Sequence, residues 1–291
     1  MNNGHLQVNR TQVPMNGASL AAHYVVAGEG PSILFLHGLG DSAYTWQWVM
    51  RSLSHRYRVY AVSFPGFGDS AKPDASYTPD FFVDFTLAFM DALNIERPML
   101  VGNSLGGLIA VLMVLRQPDR ARALTLISSA GLGREISLAL RMLTLPGFGR
   151  LLAAWYQTPI GAYQWALFTT WLLFAQPHEA PRAWTSGLRQ MAHMPGYLEA
   201  TVASVRSGST ILGQRNRWIV LDQLNQLALP TLVLWGERDR VVPLHHGRAA
   251  ASRLPAGRLE VFRNCGHLPH IEAAKSFVYA VDDFYRQHAH G

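Results

Sequence analysis

Short apolar runs alternate with longer amphipathic stretches along most of the chain. Runs near residues 12 to 18, 21 to 27, 32 to 36, 58 to 62, 99 to 102, 123 to 127, 231 to 235 and 258 to 262 are brief, bounded by turn residues, and read as strands. Between them, residues 43 to 53, 79 to 93, 104 to 116, 244 to 254 and 275 to 287 carry apolar positions at helical spacing. Strands that alternate with helices predict an α/β fold, a mostly parallel sheet covered on both faces.

The alternation stops between Gly133 and Leu229. That stretch is helical in pattern, is punctuated by Pro146-Gly147, Pro159, Pro177, Pro181 and Pro195-Gly196, and offers no convincing sheet strand. Its place after the sixth strand predicts a helical cap, residues 133–229, inserted into a core formed by 1–132 and 230–291. Aromatic residues concentrate there. Most serve packing, but together they imply an apolar or aromatic pocket, for which Trp155, Trp165 and Trp171 are the candidates. Leu151 to Pro177 contains no Asp, Glu, Lys or Arg and is long enough to span a bilayer. Gln157, Pro159, Gly161 and Gln164 interrupt it, so two short apolar helices and no stable membrane insertion are expected.

With 291 residues, 49% of them apolar and 15% charged, the chain supports one large core or a core plus a subdomain. The net charge is +6, yet the cations are scattered and form no basic run, which argues against a nucleic-acid partner. Only Lys72 and Lys275 are lysines, so arginine carries nearly all the positive charge. Cys265 is the single cysteine; no internal disulfide is possible, and it reads as a small buried thiol. Met1 to Pro14 lacks the apolar core of a signal peptide, which makes a cytoplasmic location the default expectation. No pattern specifies an oligomeric state.

Chemistry enters at Gly102-Asn103-Ser104-Leu105-Gly106, which joins the apolar run Met99-Leu100-Val101 to a helical stretch. A serine between glycines at a strand-to-helix corner is a nucleophile elbow. Its hydroxyl needs a base, and the base needs an acid to orient it. Among twelve histidines, His267 lies on a loop just after the last strand, where groups gather at the carboxyl ends of a parallel sheet. Two carboxylates compete after the strand Thr231 to Trp235; Asp239 is preferred over Glu237 because it falls once the turn has begun, with Asp222 in reserve. The backbone N–H groups of Leu105 and of Leu39, beside Gly38, are the expected oxyanion donors, and His37 reads as structural. Because the base must be neutral, activity is expected to rise with pH.

Five motifs, in order, resemble the α/β-hydrolases, specifically the branch of serine esterases and carbon–carbon bond hydrolases. They are His37-Gly38-Leu39-Gly40-Asp41, Phe64-Pro65-Gly66-Phe67-Gly68-Asp69-Ser70, Gly102-Asn103-Ser104-Leu105-Gly106-Gly107, Trp235-Gly236-Glu237-Arg238-Asp239 and Cys265-Gly266-His267. The resemblance covers nearly the whole chain and implies an eight-stranded, mostly parallel sheet with an inserted helical cap. Serine at the elbow, rather than aspartate, separates it from haloalkane dehalogenases and epoxide hydrolases. Dienoate-cleaving hydrolases share the elbow and the Cys-Gly-His loop, but their oxyanion loop is richer in glycine and a tryptophan usually stands where Leu268 stands here. Arg189 falls near, though out of register with, the arginine those enzymes use on the dienoate carboxylate, and is kept as a substrate-binding candidate with Gly38 and the tryptophans. The resulting expectation is hydrolysis of esters of small apolar or aromatic acyl groups through an acyl-enzyme, with no cofactor or metal. The alternatives are carbon–carbon bond hydrolysis of dienoates and a non-turnover binding protein on the same fold.

Overall fold

The computed structural model describes residues 5–15 and 17–288. Its main sheet contains β1 (Gln7–Met15), β2 (Ala18–Ala27), β3 (Ser32–Leu36), β4 (Arg58–Val62), β5 (Met99–Asn103), β6 (Ala123–Ile127), β7 (Thr231–Gly236) and β8 (Gly257–Phe262). The spatial order is β1-β2-β4-β3-β5-β6-β7-β8. β1 and β2 pair antiparallel, as do β2 and β4, and every later pairing is parallel. The first expected strand, residues 12 to 18, spans Asn16, which lies outside the described residues. The strand found there starts earlier and ends at Met15, and Gly17, at φ +83°, lies in the connection to β2. β1 is an edge strand with one partner, so its outward positions stay polar and the apolar pattern understates its length.

The first helices flanking the sheet are α1 (Gln47–Leu53), α2 (Pro79–Ala92) and α3 (Leu105–Arg116). The region between β6 and β7 contributes α4 (Leu138–Met142), α5 (Phe148–Tyr156), α6 (Pro159–Leu173), α7 (Arg182–Ala192) and α8 (Tyr197–Gly208). A two-residue ribbon pairs Ser209–Thr210 with Gly213–Gln214, apart from the main sheet. The chain closes with α9 (Leu244–Arg253), α10 (Pro269–Glu272) and α11 (Ala274–His288). Thr158 caps α6 by accepting a hydrogen bond from the Gly161 N–H, with Pro159 in the first turn, so the apolar stretch from Leu151 divides into two helices.

Side chains alternate across the sheet with a period of two. Leu34, Leu36, Leu100, Leu124 and Leu126 join one core with α2 and α3; Ile33, Phe35, Val101, Leu232 and Leu234 join the other with Trp46 of the turn before α1 and Phe277 of α11. The central strands are buried on both faces, which fixes their carboxyl ends as a rigid rim.

Candidate active site

Ser104 sits at the tightest corner of that rim. Its backbone adopts φ 52° and ψ −114°, a left-handed conformation that costs a non-glycine residue about 1–3 kcal/mol. Surrounding contacts hold it there: its N–H donates to the Ile127 carbonyl at 2.9 Å, and its carbonyl accepts from Ala130 at 3.0 Å. The flanking glycines are required by close approach. A Cβ on Gly106 would run into the Leu36 carbonyl, and one on Gly102 into the Gly106 carbonyl. The hydroxyl of Ser104 makes no hydrogen bond among the described residues and faces a cavity.

His267 reaches the same cavity from the loop between β8 and α10 and is buried. Its Nδ1 lies 2.8 Å from Oδ2 of Asp239, while Oδ1 of Asp239 accepts from the N–H groups of Val241 at 2.7 Å and Val242 at 3.0 Å. Both carboxylate oxygens are thus occupied as acceptors, so Nδ1 carries the shared proton and Nε2 is left as the acceptor. The other two acids are elsewhere. Glu237 is exposed and accepts from the Asn264 N–H at 3.1 Å, and Asp222 pairs with Arg253 at the surface.

Three residues to which the sequence assigned no role surround this arrangement, Asn103 within the elbow motif and Glu272 and His270 outside any motif. Glu272 accepts from the N–H groups of Gly266 at 2.8 Å and Ala175 at 2.7 Å, tying the histidine loop to the segment after α6; burial raises its pKa against those bonds. Asn103 donates its amide to the His267 carbonyl at 3.2 Å. His270 is fully buried against Trp46, with ring centroids 4.3 Å apart, and burial, aided by the neighbouring His267 imidazole, which disfavours a second proton nearby, depresses its pKa to about 3.

The loop after β3 passes directly over Ser104: a Cβ on Gly38 would lie 2.8 Å from Oδ1 of Asn103 and 3.3 Å from Cβ of Ser104. His37 anchors that loop. Its Nε2 accepts from the Phe64 N–H at 2.9 Å, so its Nδ1 donates to the Gly38 carbonyl at 2.7 Å, and burial lowers its pKa to about 4. Tyr197 of α8 donates to the Gly40 carbonyl at 2.6 Å. The N–H groups of Leu39 and Leu105 have no partner among the described residues, and both residues stand beside Ser104.

The cavity measures about 230 Å³ and is walled by α4–α8, the Gly38–Asp41 loop, Ser104, His267 and Leu268. Gly38 and Trp165 line it. Trp155, Trp171 and Arg189 do not, contrary to their place among the sequence candidates. The Trp155 indole donates to Gln164 at 2.8 Å on the exposed side of α5, Trp171 is exposed beneath Arg240, and Arg189 lies 5.6 Å over the ring of Tyr163. Helices α5 and α6 are apolar on several sides, so ring type alone does not tell which side packs inward. Asp41 is the one carboxylate of the lining, and burial raises its pKa to about 6 despite hydrogen bonds from Ser42 and Thr45. Cys265 is buried and its thiol pKa is pushed up by burial, so it stays protonated. Glu135, His245 and His246 bring ligand-type atoms within 4.8 Å of one another near α9, where Glu135 already bonds His246 at 2.7 Å.

A family model described as the alpha/beta hydrolase fold matches residues 31–274. The chain is 34% identical over 270 residues to 2-hydroxymuconate semialdehyde hydrolase of Pseudomonas sp. (strain CF600), covering 89% of this chain and 88% of that one. It is 27% identical to the pimeloyl-[acyl-carrier protein] methyl ester esterase of Aeromonas hydrophila subsp. hydrophila, over 88% of this chain and 96% of the other. Among solved structures, a bacterial membrane phospholipase A described as a virulence factor superposes with a TM-score of 0.80 at 28% identity, covering 99% of this chain and 88% of that one. A serine on a strained strand-to-helix corner, a buried histidine–aspartate pair at the same cavity, an eight-stranded, mostly parallel sheet and the family match over residues 31–274 lead to one assignment: the chain belongs to the α/β-hydrolase fold family.

Proposed function

We propose that this protein is a serine hydrolase acting on carboxylic esters of neutral, apolar or aromatic acyl groups, with residues 133–229 serving as a cap over the site. The observation that carries this reading is the cavity lining, which contains no Lys or Arg and one carboxylate, Asp41. A substrate carboxylate has no cation to meet there, whereas an uncharged acyl chain meets Leu, Phe and Trp side chains.

In this reading Ser104 Oγ attacks the ester carbonyl carbon as His267 Nε2 takes its proton. Asp239 stabilises the imidazolium through the 2.8 Å hydrogen bond, and the N–H groups of Leu39 and Leu105 receive the oxyanion. The imidazolium then protonates the departing alkoxide, leaving an acyl-enzyme. Water, deprotonated by His267, attacks that acyl group and regenerates the serine. Removing one oxyanion donor typically lowers kcat about 100- to 1000-fold.

A second reading is carbon–carbon bond hydrolysis, favoured by the 34% identity to a semialdehyde hydrolase of that type. A panel of p-nitrophenyl esters of graded acyl length, run beside a coloured dienoate, separates the two. Multiple turnovers of the esters, abolished in Ser104→Ala and in His267→Ala, are expected. Fast bleaching of the dienoate with negligible ester turnover would transfer the assignment to the second reading.

A further inference from the structure

Helix α6 is apolar on all sides, yet one side is left uncovered. Ile160, Tyr163, Leu167, Phe168 and Trp171 recur at helical spacing on that side and are 66%, 50%, 53%, 39% and 53% exposed. Leu151 and Trp155 of α5 are exposed as well. So many large apolar side chains in one surface region mark an interaction surface.

The rim of this face selects its partner. Residues 151–177 contain no acidic or basic residue, but the rings on α6 carry guanidinium groups from outside it: Arg189 lies 5.6 Å over Tyr163 and Arg240 lies 5.3 Å over Trp171. Arg150 and Arg182 stand exposed just beyond the segment on either side. The bordering acids Glu199 and Glu179 accept hydrogen bonds from Gln157 and Gln176. Aromatic rings edged by arginine suit the boundary between acyl chains and anionic headgroups, where rings enter the apolar zone and guanidinium groups meet phosphates. A second copy of the same face would set arginine against arginine with no acid from the segment to answer it.

This face adjoins the cavity. Phe168 of α6 and Met142 of α4 both line the cavity and are themselves 39% and 36% exposed, so the apolar cavity wall continues onto the outer surface, at α6 through Phe168. No described helix is long and apolar enough to cross a membrane, so contact at this face is peripheral. We propose that the α5–α6 face docks the protein on an anionic lipid surface, and that the cavity takes neutral acyl esters partitioned into that surface. The substrate half of this inference rests on the ester-hydrolase reading; the docking half does not.

Flotation of the full-length Ser104→Ala protein with phosphatidylcholine vesicles, with and without phosphatidylglycerol, tests docking without turnover. Capture by the phosphatidylglycerol vesicles is expected, weaker with phosphatidylcholine alone and at high salt, with a blue shift of tryptophan emission. Ile160→Glu/Leu167→Glu is expected to weaken capture roughly tenfold or more. Neither side chain lines the cavity, so this variant should hydrolyse a soluble short-chain ester at the unmodified rate. If its melting temperature shows misfolding, Arg189→Glu replaces it and should remove the preference for anionic vesicles. Three results overturn the docking: no capture by either vesicle, undiminished capture of the folded variants, or a solution dimer that the double substitution dissociates. Normal capture of Ser104→Ala with no ester turnover by the unmodified protein would support docking and overturn the substrate half.

Discussion

At the scale of single residues, Asp239 differs from its neighbours in how its oxygens are used. Both accept hydrogen bonds, one from His267, whereas Glu237 spends its carboxylate on a loop N–H at the surface. Asp239→Asn is therefore expected to lower kcat by roughly 10⁴-fold, the loss typical when the orienting acid is neutralised. Glu237→Gln should stay within a few-fold of the unmodified rate in the same ester assay, and equal losses in the two variants would exclude this division of roles. Asp41 presents the opposite case, a carboxyl kept from water. Its folded pKa, about 6, lies above the ordinary carboxylate value, so the folded protein holds a proton that the unfolded chain has released. Stability from this group is therefore present at low pH and is lost as pH rises through 6. The amide of Asp41→Asn does not ionise; the variant should gain up to about 3 kcal/mol over the unmodified protein at pH 8 and only about 1 kcal/mol at pH 4.5, read from urea unfolding at each pH.

Elements impose stricter limits where backbones touch. At the start of α3, Gly106 lies against the Leu36 and His37 carbonyls at the end of β3, and rigid backbone on both sides cannot yield to a methyl group. Gly187 is also in a helix, α7, but an added Cβ there meets nothing within 4 Å. Gly106→Ala is expected to lower stability by more than about 3 kcal/mol, and Gly187→Ala to raise it by up to about 1 kcal/mol through helix propensity. Thermal melts of the pair decide the point, since an equal response would mean the β3–α3 approach is not tight. The loop carrying His267 depends on α10 in a similar way, because the Glu272 carboxylate joins that loop to the segment after α6.

For the whole molecule, burial governs the response to acid. His37 and His270 are neutral in the folded state, with pKa values depressed to about 4 and about 3 by burial, while the unfolded chain binds protons at both from about pH 6.5 downward. Each thus contributes stability at neutral pH that is lost as pH falls, and two such groups outweigh the opposite slope of Asp41. The urea midpoint should drop between pH 6.5 and 4.5; a flat or rising midpoint would mean that water reaches these imidazoles. His270 could not be told from the other histidines by pattern alone, whereas His37 was read as structural from its place beside Gly38. The alternation of apolar runs, the family motifs and the glycines around Ser104 were legible in the chain because strand burial, helix spacing and a crowded corner are local requirements. Which of Asp239, Glu237 and Asp222 meets His267 was legible only as a preference. The outward turn of Trp155 and Trp171, and the burial of Asp41 in the cavity wall, were not legible at all, whereas that of Arg189 follows the polar side of α7, whose Trp184, Leu188, Met191 and Ala192 face inward. A helix apolar on every side carries no mark of which side will be covered, and the environment of a carboxyl is made by segments distant in sequence, so those two facts were decided only when α4–α8 packed over the ends of the strands.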